Sequence, residues 1–213
     1  MLRDKSKIAV NVFDKRAVDY QTKFMDVSLY YDGLDIFCNS IKKQNAEILE
    51  LACGPGNITQ YLFQKRPDFK ILATDLAPNM VALAKINNPK AIFELMDCRD
   101  LHQLSKTYDG IMCGFALPYL SREATIKMVS NAATMLNPNG LLYLSTMEGN
   151  YDQSGFRKSS DGKDDIYQYF YSATFLTDLL KANGLHTISF QRIEYDANGS
   201  KISDLILIGQ KQN

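Results

Sequence analysis

Three carboxylates stand at or near the places where short apolar runs give out. Glu50 lies in Glu47-Ile-Leu-Glu-Leu-Ala52, Asp75 follows Lys70-Ile-Leu-Ala-Thr74, and Asp97 follows Ala91-Ile-Phe-Glu-Leu-Met96. After the first run comes a small turn, Ala52-Cys53-Gly54-Pro55-Gly56-Asn57. Strand-length runs that end in a glycine turn or an acid are how an open α/β sheet presents groups to a nucleotide at its carboxyl ends. Asp75 comes twenty-one residues after Gly54, the spacing at which such a sheet offers a carboxylate to the two hydroxyls of a ribose. An acid there serves any ribose, so the turn must decide which nucleotide. A phosphate loop, GxxxxGK followed by Ser or Thr, needs lysine after its last glycine to neutralise phosphates, and Gly56 is followed by Asn57. The dinucleotide pattern GxGxxG needs three glycines. Read from Ala52 to Gly56 or from Gly54 to Thr59, one is always missing, which counts against a pyrophosphate.

The elements that must position these residues follow from periodicity. Five strands are read at Glu47 to Ala52, Lys70 to Thr74, Ala91 to Met96, Tyr108 to Cys113 and Gly140 to Thr146. Segments of helical period lie between most of them, at Ile58 to Gln64, Pro78 to Asn87 and Ser121 to Leu136, with Pro78 near a helix start and Asn137-Pro-Asn-Gly140 after a helix end. The alternation predicts right-handed crossovers and a mostly parallel sheet. A further helix, Ser172 to Asn183, stops at Gly184, and two β-rich runs, His186 to Tyr195 and Lys201 to Gln210, flank Asn198-Gly199 as an antiparallel hairpin. Residues 1 to about 45 read as helical. The polar stretch Tyr151 to Asp165 reads as a mobile surface loop.

Bulk properties narrow the class. The 213 residues suit one domain with a sizeable core. Twenty-four basic and twenty-four acidic side chains leave no net field for a phosphate backbone, so no nucleic-acid partner is expected. The four cysteines, Cys38, Cys53, Cys98 and Cys113, stand singly with two histidines in the chain, and no zinc pattern results. No apolar stretch has the length of a signal peptide or a membrane span, so a cytoplasmic protein without metal or membrane partner is expected.

Glu50-Leu-Ala52-Cys-Gly54-Pro-Gly56 resembles the first motif of the class I S-adenosylmethionine-dependent methyltransferases, an acid followed by GxGxG. It departs at Ala52, where that family most often has glycine, and the departure suggests a backbone that need not reach positive φ. The resemblance continues through Tyr108 to Cys113 as a fourth strand, Leu136-Asn-Pro-Asn-Gly140 entering a fifth, and Tyr171 to Gly184 as the helix before the sixth. It covers residues from about 46 to 210. It implies a Rossmann-like, seven-stranded, mostly parallel sheet in the order 3-2-1-4-5-7-6, with an antiparallel last strand and helices on both faces. It also implies one domain made of an N-terminal helical lid (1–45), a cofactor-binding half (46–147) and an acceptor-side part (148–213).

The same resemblance assigns roles. The turn residues Glu50, Ala52, Cys53, Gly54 and Gly56 would wrap the methionine end of the cofactor, Asp75 would meet the ribose, Met80 the adenine or ribose, Asp97 (with Asp100 as its competitor) and Cys98 the adenine, and Leu76, Cys113, Gly114 and Phe115 would make further cofactor contacts. Val12-Phe-Asp-Lys-Arg-Ala-Val-Asp-Tyr20 resembles the family's lid entry, which brings Tyr20 to cofactor and acceptor alike. Plain packing explains several of these equally well. Asp75 could cap the following helix, and Phe13, Ala17 and Tyr20 share one helical face. Tyr119 and Tyr169 are candidates for the acceptor side, although a Tyr167, Tyr169, Tyr171 alternation also suits a half-buried strand. Methyltransferases of exocyclic base amines carry Asp, Asn or Ser, then Pro-Pro and an aromatic residue, after the fourth strand. Ala116-Leu-Pro-Tyr119 lacks the polar member.

The expected function is methyl transfer from S-adenosylmethionine, leaving S-adenosylhomocysteine, to an oxygen, nitrogen or carbon of a small molecule, by a monomer or homodimer. No catalytic residue is fixed; Tyr119 and Glu148 are the candidate bases, and neither His102 nor His186 has a paired acid. A nicotinamide-dependent oxidoreductase and a non-catalytic adenosyl-binding module of the same fold stand as alternatives.

Overall fold

The computed structural model describes residues 4–159, 162–197 and 199–212. Two helices and a 3-10 turn open the chain, α1 (Lys5–Lys15), α2 (Ala17–Phe24) and Ser28–Tyr30, followed by α3 (Tyr31–Ser40). Then come β1 (Glu47–Leu51), α4 (Asn57–Lys65), β2 (Lys70–Asp75), α5 (Pro78–Asn87), β3 (Ile92–Leu95), β4 (Tyr108–Cys113), α6 (Arg122–Met135) and β5 (Leu136–Met147). The chain closes with β6 (Gly155–Lys158), β7 (Asp165–Gln168), α7 (Ala173–Ala182), β8 (Leu185–Ala197) and β9 (Ser200–Lys211).

Seven strands form one sheet in the order β3-β2-β1-β4-β5-β9-β8, with β9 antiparallel to both neighbours. Counted within that sheet, the order is the expected 3-2-1-4-5-7-6. Period-2 alternation splits the core into two layers. Leu49, Leu51, Ile111, Leu142 and Leu144 face α6 and α7. Ile48, Ile71, Met112 and Tyr143 face α3, α4 and α5. Strands buried on both faces read as near-continuous apolar runs, which is why β1, β4 and β5 stood out in the sequence.

Three sequence expectations change. Strand β5 begins at Leu136, directly after α6, because Asn139 takes a φ of 62° and the chain bulges back against Tyr108 without leaving the sheet. A Cβ on Gly140 would stand 2.8 Å from the Asn137 carbonyl oxygen, so the bulge needs glycine there. The stretch expected as a mobile loop instead forms a second, two-stranded sheet, β6 with β7, although Ser160 and Asp161 lie outside the described residues. Its anchor is Ile166, which packs on Ala9 and Val12 of α1. The third change concerns Ala52 and belongs to the site. In the predicted terminal hairpin, Ala197 pairs with Ser200 and Gly199 has a φ of 77°; Asn198 lies outside the described residues. Among the described residues no helix is long and apolar enough to cross a membrane.

Candidate functional site

The carboxyl ends of β1, β2 and β4, together with the residues after β3, open into one cavity, roofed by α1 and α2, that encloses about 760 Å³ of space partly open to solvent. Ala52 and Gly54 enter it from β1, Asp75 and Leu76 from β2, Asp97 and Cys98 from the segment after β3, and Gly114 and Phe115 from β4. Met80 of α5 and Tyr20 and Phe13 of the roof complete most of the wall. This strand-end cavity thus gathers ten of the fourteen residues assigned to the cofactor.

The turn after β1 is shaped by backbone. Ala52 has a φ of 52°, against the expectation that alanine there would avoid the left-handed region. The cause is the bond from the Cys53 N–H to the Thr74 carbonyl (2.9 Å), which pulls the chain sharply toward β2. A left-handed alanine costs roughly 1 kcal/mol. Gly54 (φ 55°) then donates its N–H to Asp75 Oδ2 at 2.8 Å, and Gly56 (φ 82°) starts α4. Phe115 is a second non-glycine outlier, φ 54°, held by its N–H to Ser145 O and Oγ at 3.2 and 3.0 Å. A bulky residue in this region signals strain kept for position.

The three acids differ in state. Glu50 is 1% exposed and its Oε2 accepts from Thr59 Oγ1 at 2.6 Å. Burial raises its pKa to about 8, against the pull of that hydrogen bond. It lies off the cavity wall and ties the turn to α4. Asp75 accepts one backbone N–H on each oxygen, Gly54 on Oδ2 and Ala77 on Oδ1, both at 2.8 Å. Burial still raises it above an ordinary carboxylate. For Asp97, burial pushes upward, but Arg99, donating through its backbone N–H and its guanidinium, outweighs it and holds the group low.

Arg99 was not anticipated. Its guanidinium bridges Asp97 (2.6 Å) and Asp4 (3.0 Å), the N-cap of α1, so it latches the roof onto the strand ends. The sequence signal was an arginine two residues beyond an acid at a strand end. Ser6 Oγ makes a second latch to the Tyr119 carbonyl at 2.7 Å, and Asp14 accepts from the Asn79 N–H at 2.7 Å.

Beyond the roof lies an outer cavity of about 500 Å³. Phe13, Tyr20, Phe115 and Tyr119 line both spaces and separate them as an aromatic wall. Phe13 packs edge-on against Tyr20 and Tyr119, with centroids at 5.7 and 4.9 Å. Cys53, Gly56 and Cys113, like Glu50, stay outside the strand-end cavity. Tyr169 is buried against Tyr151 and Tyr167 and lines neither space. Glu148 is turned to the sheet's far edge, paired with Arg192 at 2.6 Å. Tyr119 is on the wall, but burial pushes it up to about 12, so at neutral pH it is a phenol that donates.

Residues 48–140 match the methyltransferase domain family. The tRNA N(3)-methylcytidine methyltransferase trm141 of Schizosaccharomyces pombe is 22% identical, over 93% of this chain and 87% of its own length. A malonyl-(acyl-carrier protein) O-methyltransferase of Priestia megaterium is 32% identical over 63% of this chain and 49% of its own. The chain spans 37% to 49% of the length of several curated relatives it matches. Among solved structures, the DhpI–SAH complex superposes with a TM-score of 0.74 at 18% identity, covering 100% of this chain and 99% of the other, and so shares the fold.

Proposed function

We propose that this chain is a class I S-adenosylmethionine-dependent methyltransferase that holds S-adenosylmethionine in its strand-end cavity and directs the methyl group to an oxygen, nitrogen or carbon of a small molecule seated across the aromatic wall. One observation carries the reading. Asp75 is a carboxylate on the cavity wall whose oxygens each accept a single backbone N–H, which leaves lone pairs for two neighbouring hydroxyls. Around it, Asp97 and Cys98 would meet the adenine edge, Leu76 and Met80 its faces, and Ala52 and Gly54 the methionine end. Gly114, Phe115 and Tyr20 would close over the middle. Glu50, Cys53, Gly56 and Cys113 would act at one remove, by shaping the turn and the strand beneath it.

Bound there, S-adenosylmethionine supplies a methyl group already activated by the sulfonium charge. The work left to the chain is to hold donor and acceptor in line and exclude water. The latched roof serves the second task, and Tyr20 and Tyr119, facing both cavities, serve the first. Tyr169 would support the acceptor side by packing under β7.

The nicotinamide alternative meets a physical obstacle. The position of its missing third glycine is Thr59, which is fully buried and bonded to Glu50. Calorimetric titration separates the readings: S-adenosylmethionine and S-adenosylhomocysteine are expected to bind and NAD not, and NAD binding alone would remove this proposal. Binding with no transfer to any acceptor would favour the non-catalytic module. The coverage of the fission-yeast relative favours a second reading, a tRNA acceptor. Balanced charge argues against it; labelled methyl transfer to total tRNA and to no small molecule would establish it. A cytoplasmic monomer or homodimer without metal completes the reading.

A further inference from the structure

The outer cavity holds a buried carboxylate that nothing above uses. Asp204, on β9 opposite Met147 of β5, is 0% exposed and lines that cavity. Its Oδ2 accepts from the Tyr30 hydroxyl at 2.8 Å, the Tyr195 hydroxyl also faces the carboxylate, and Oδ1 is buried with no partner at full hydrogen-bond geometry among the described residues. A buried carboxylate oxygen left without a partner costs on the order of 1–3 kcal/mol, a cost that a polar ligand group reaching it from the cavity would relieve. Its setting is aromatic. Tyr30, Phe24 and Tyr195 line the same space beside the shared wall, and the Tyr30 ring lies 5.0 Å from that of Phe115. A chain of contact thus runs from the strand-end cavity through the Phe115–Tyr30 ring contact and the Tyr30 hydroxyl to Asp204. Lys23, Lys158 and Lys163, which also border the cavity, are exposed, and Arg16 is half-buried and paired with Asp164; the carboxylate is fully buried.

Resting on the methyltransferase reading, we propose that the outer cavity is the acceptor site, that it takes a small aryl compound bearing an amine or phenol, and that Asp204 is the base that receives that group's proton. The chemistry balances. The acceptor N–H or O–H gives its proton to Asp204 Oδ1 as its lone pair forms the new bond to the methyl carbon; the carbon–sulfur bond breaks and its electron pair stays on sulfur. Burial raises the Asp204 pKa above the ordinary carboxylate value, which suits a proton acceptor near neutral pH. The aromatic lining suits the ring of such an acceptor. Neither base candidate read from the sequence is so placed, since Glu148 is paired at the sheet edge and Tyr119 stays protonated.

The test uses tyramine, which carries an aryl ring, a phenol and an amine. Calorimetry on wild-type protein saturated with S-adenosylhomocysteine is expected to detect tyramine binding, and Asp204→Asn to weaken it about tenfold or more with S-adenosylhomocysteine affinity unchanged. Transfer of a tritium-labelled methyl group to tyramine is expected to fall roughly 100-fold in the same variant. Should Asp204→Asn not fold, Tyr30→Phe, which keeps the carboxylate, is expected to lower transfer about tenfold. Wild-type protein that binds S-adenosylhomocysteine but not tyramine, or a folded Asp204→Asn with full tyramine binding and transfer, or a Tyr30→Phe with full transfer, overturns the proposal. Failure of the wild type to bind S-adenosylhomocysteine at all would instead overturn the reading beneath it.

Discussion

The two cavities on either side of the aromatic wall are built in opposite ways. Beneath its helical roof, the strand-end cavity takes its floor from short segments at the carboxyl ends of neighbouring strands, 52 and 54, 75–77, 96–99 and 114–116, and its acid is held by backbone amides of adjacent turns. The outer cavity is assembled from the N-terminal helices, the β6–β7 sheet and the β8–β9 hairpin, and its acid meets a tyrosine 174 residues away. A donor site common to a fold can be made by backbone geometry that many sequences share. An acceptor site is made by side chains from whichever loops and termini fold over the sheet.

If that contrast holds, damage to the turn under the strand-end cavity should register as stability and donor affinity, and leave the outer cavity alone. The largest effect is expected at Glu50. Its folded pKa, raised to about 8 from 4.5, lies above the unfolded one, so the folded protein binds the extra proton between those values and stability falls as pH rises through that window. Glu50→Gln keeps the acceptor for Thr59 and removes the penalty. Urea unfolding at pH 9 should find the variant more stable by about 2–4 kcal/mol, with the gap closing toward pH 5; a pH-independent difference would refute a protonated, buried Glu50.

Gly56→Ala comes next. The position has a φ of 82°, and a Cβ would stand 2.4 Å from Asn88 Nδ2, so a loss of about 2 kcal/mol in the same assay is expected. Arg99→Ala tests the latch. Without the bridge to Asp4 and Asp97, hydrogen exchange in 5–15 should quicken by roughly the factor of 5 that about 1 kcal/mol of opening free energy represents, while protection of β1 and β4 in the sheet centre is unchanged. The smallest effect is expected at Ala52. Ala52→Gly relieves a left-handed alanine but loosens the unfolded chain, and the two nearly cancel to within about 0.5 kcal/mol; a clear stabilisation would mean that the turn is more strained than its φ indicates.

How much was legible follows the same divide. Strand and helix identities read correctly because β1, β2, β4 and β5 are buried on both faces and Pro78, Ser121 and Ser172 sit at helix starts. Asp75 and Asp97 were found because strand ends fix their place. Ala52 misled, because alanine's intrinsic preference was weighed without the bond from Cys53 to Thr74 that forces the turn. Phe156, Ile166 and Tyr167 gave no strong period, so the β6–β7 sheet was missed; its anchor is α1, far away in sequence. Asp204 gave no signal at all, since an isolated acid inside a β-rich run reads as a solvent-facing residue until Tyr30 and Met147 are brought to it by the fold.

The central claim is that donor and acceptor are held by separate acids, Asp75 and Asp204. Calorimetric titration of S-adenosylhomocysteine into wild-type, Asp75→Ala and Asp204→Asn protein tests it most directly. Asp75→Ala should lose about 1–3 kcal/mol of binding through the lost ribose hydrogen bonds, and Asp204→Asn should match the wild type. Equal losses in both variants, or full affinity in Asp75→Ala, would contradict it.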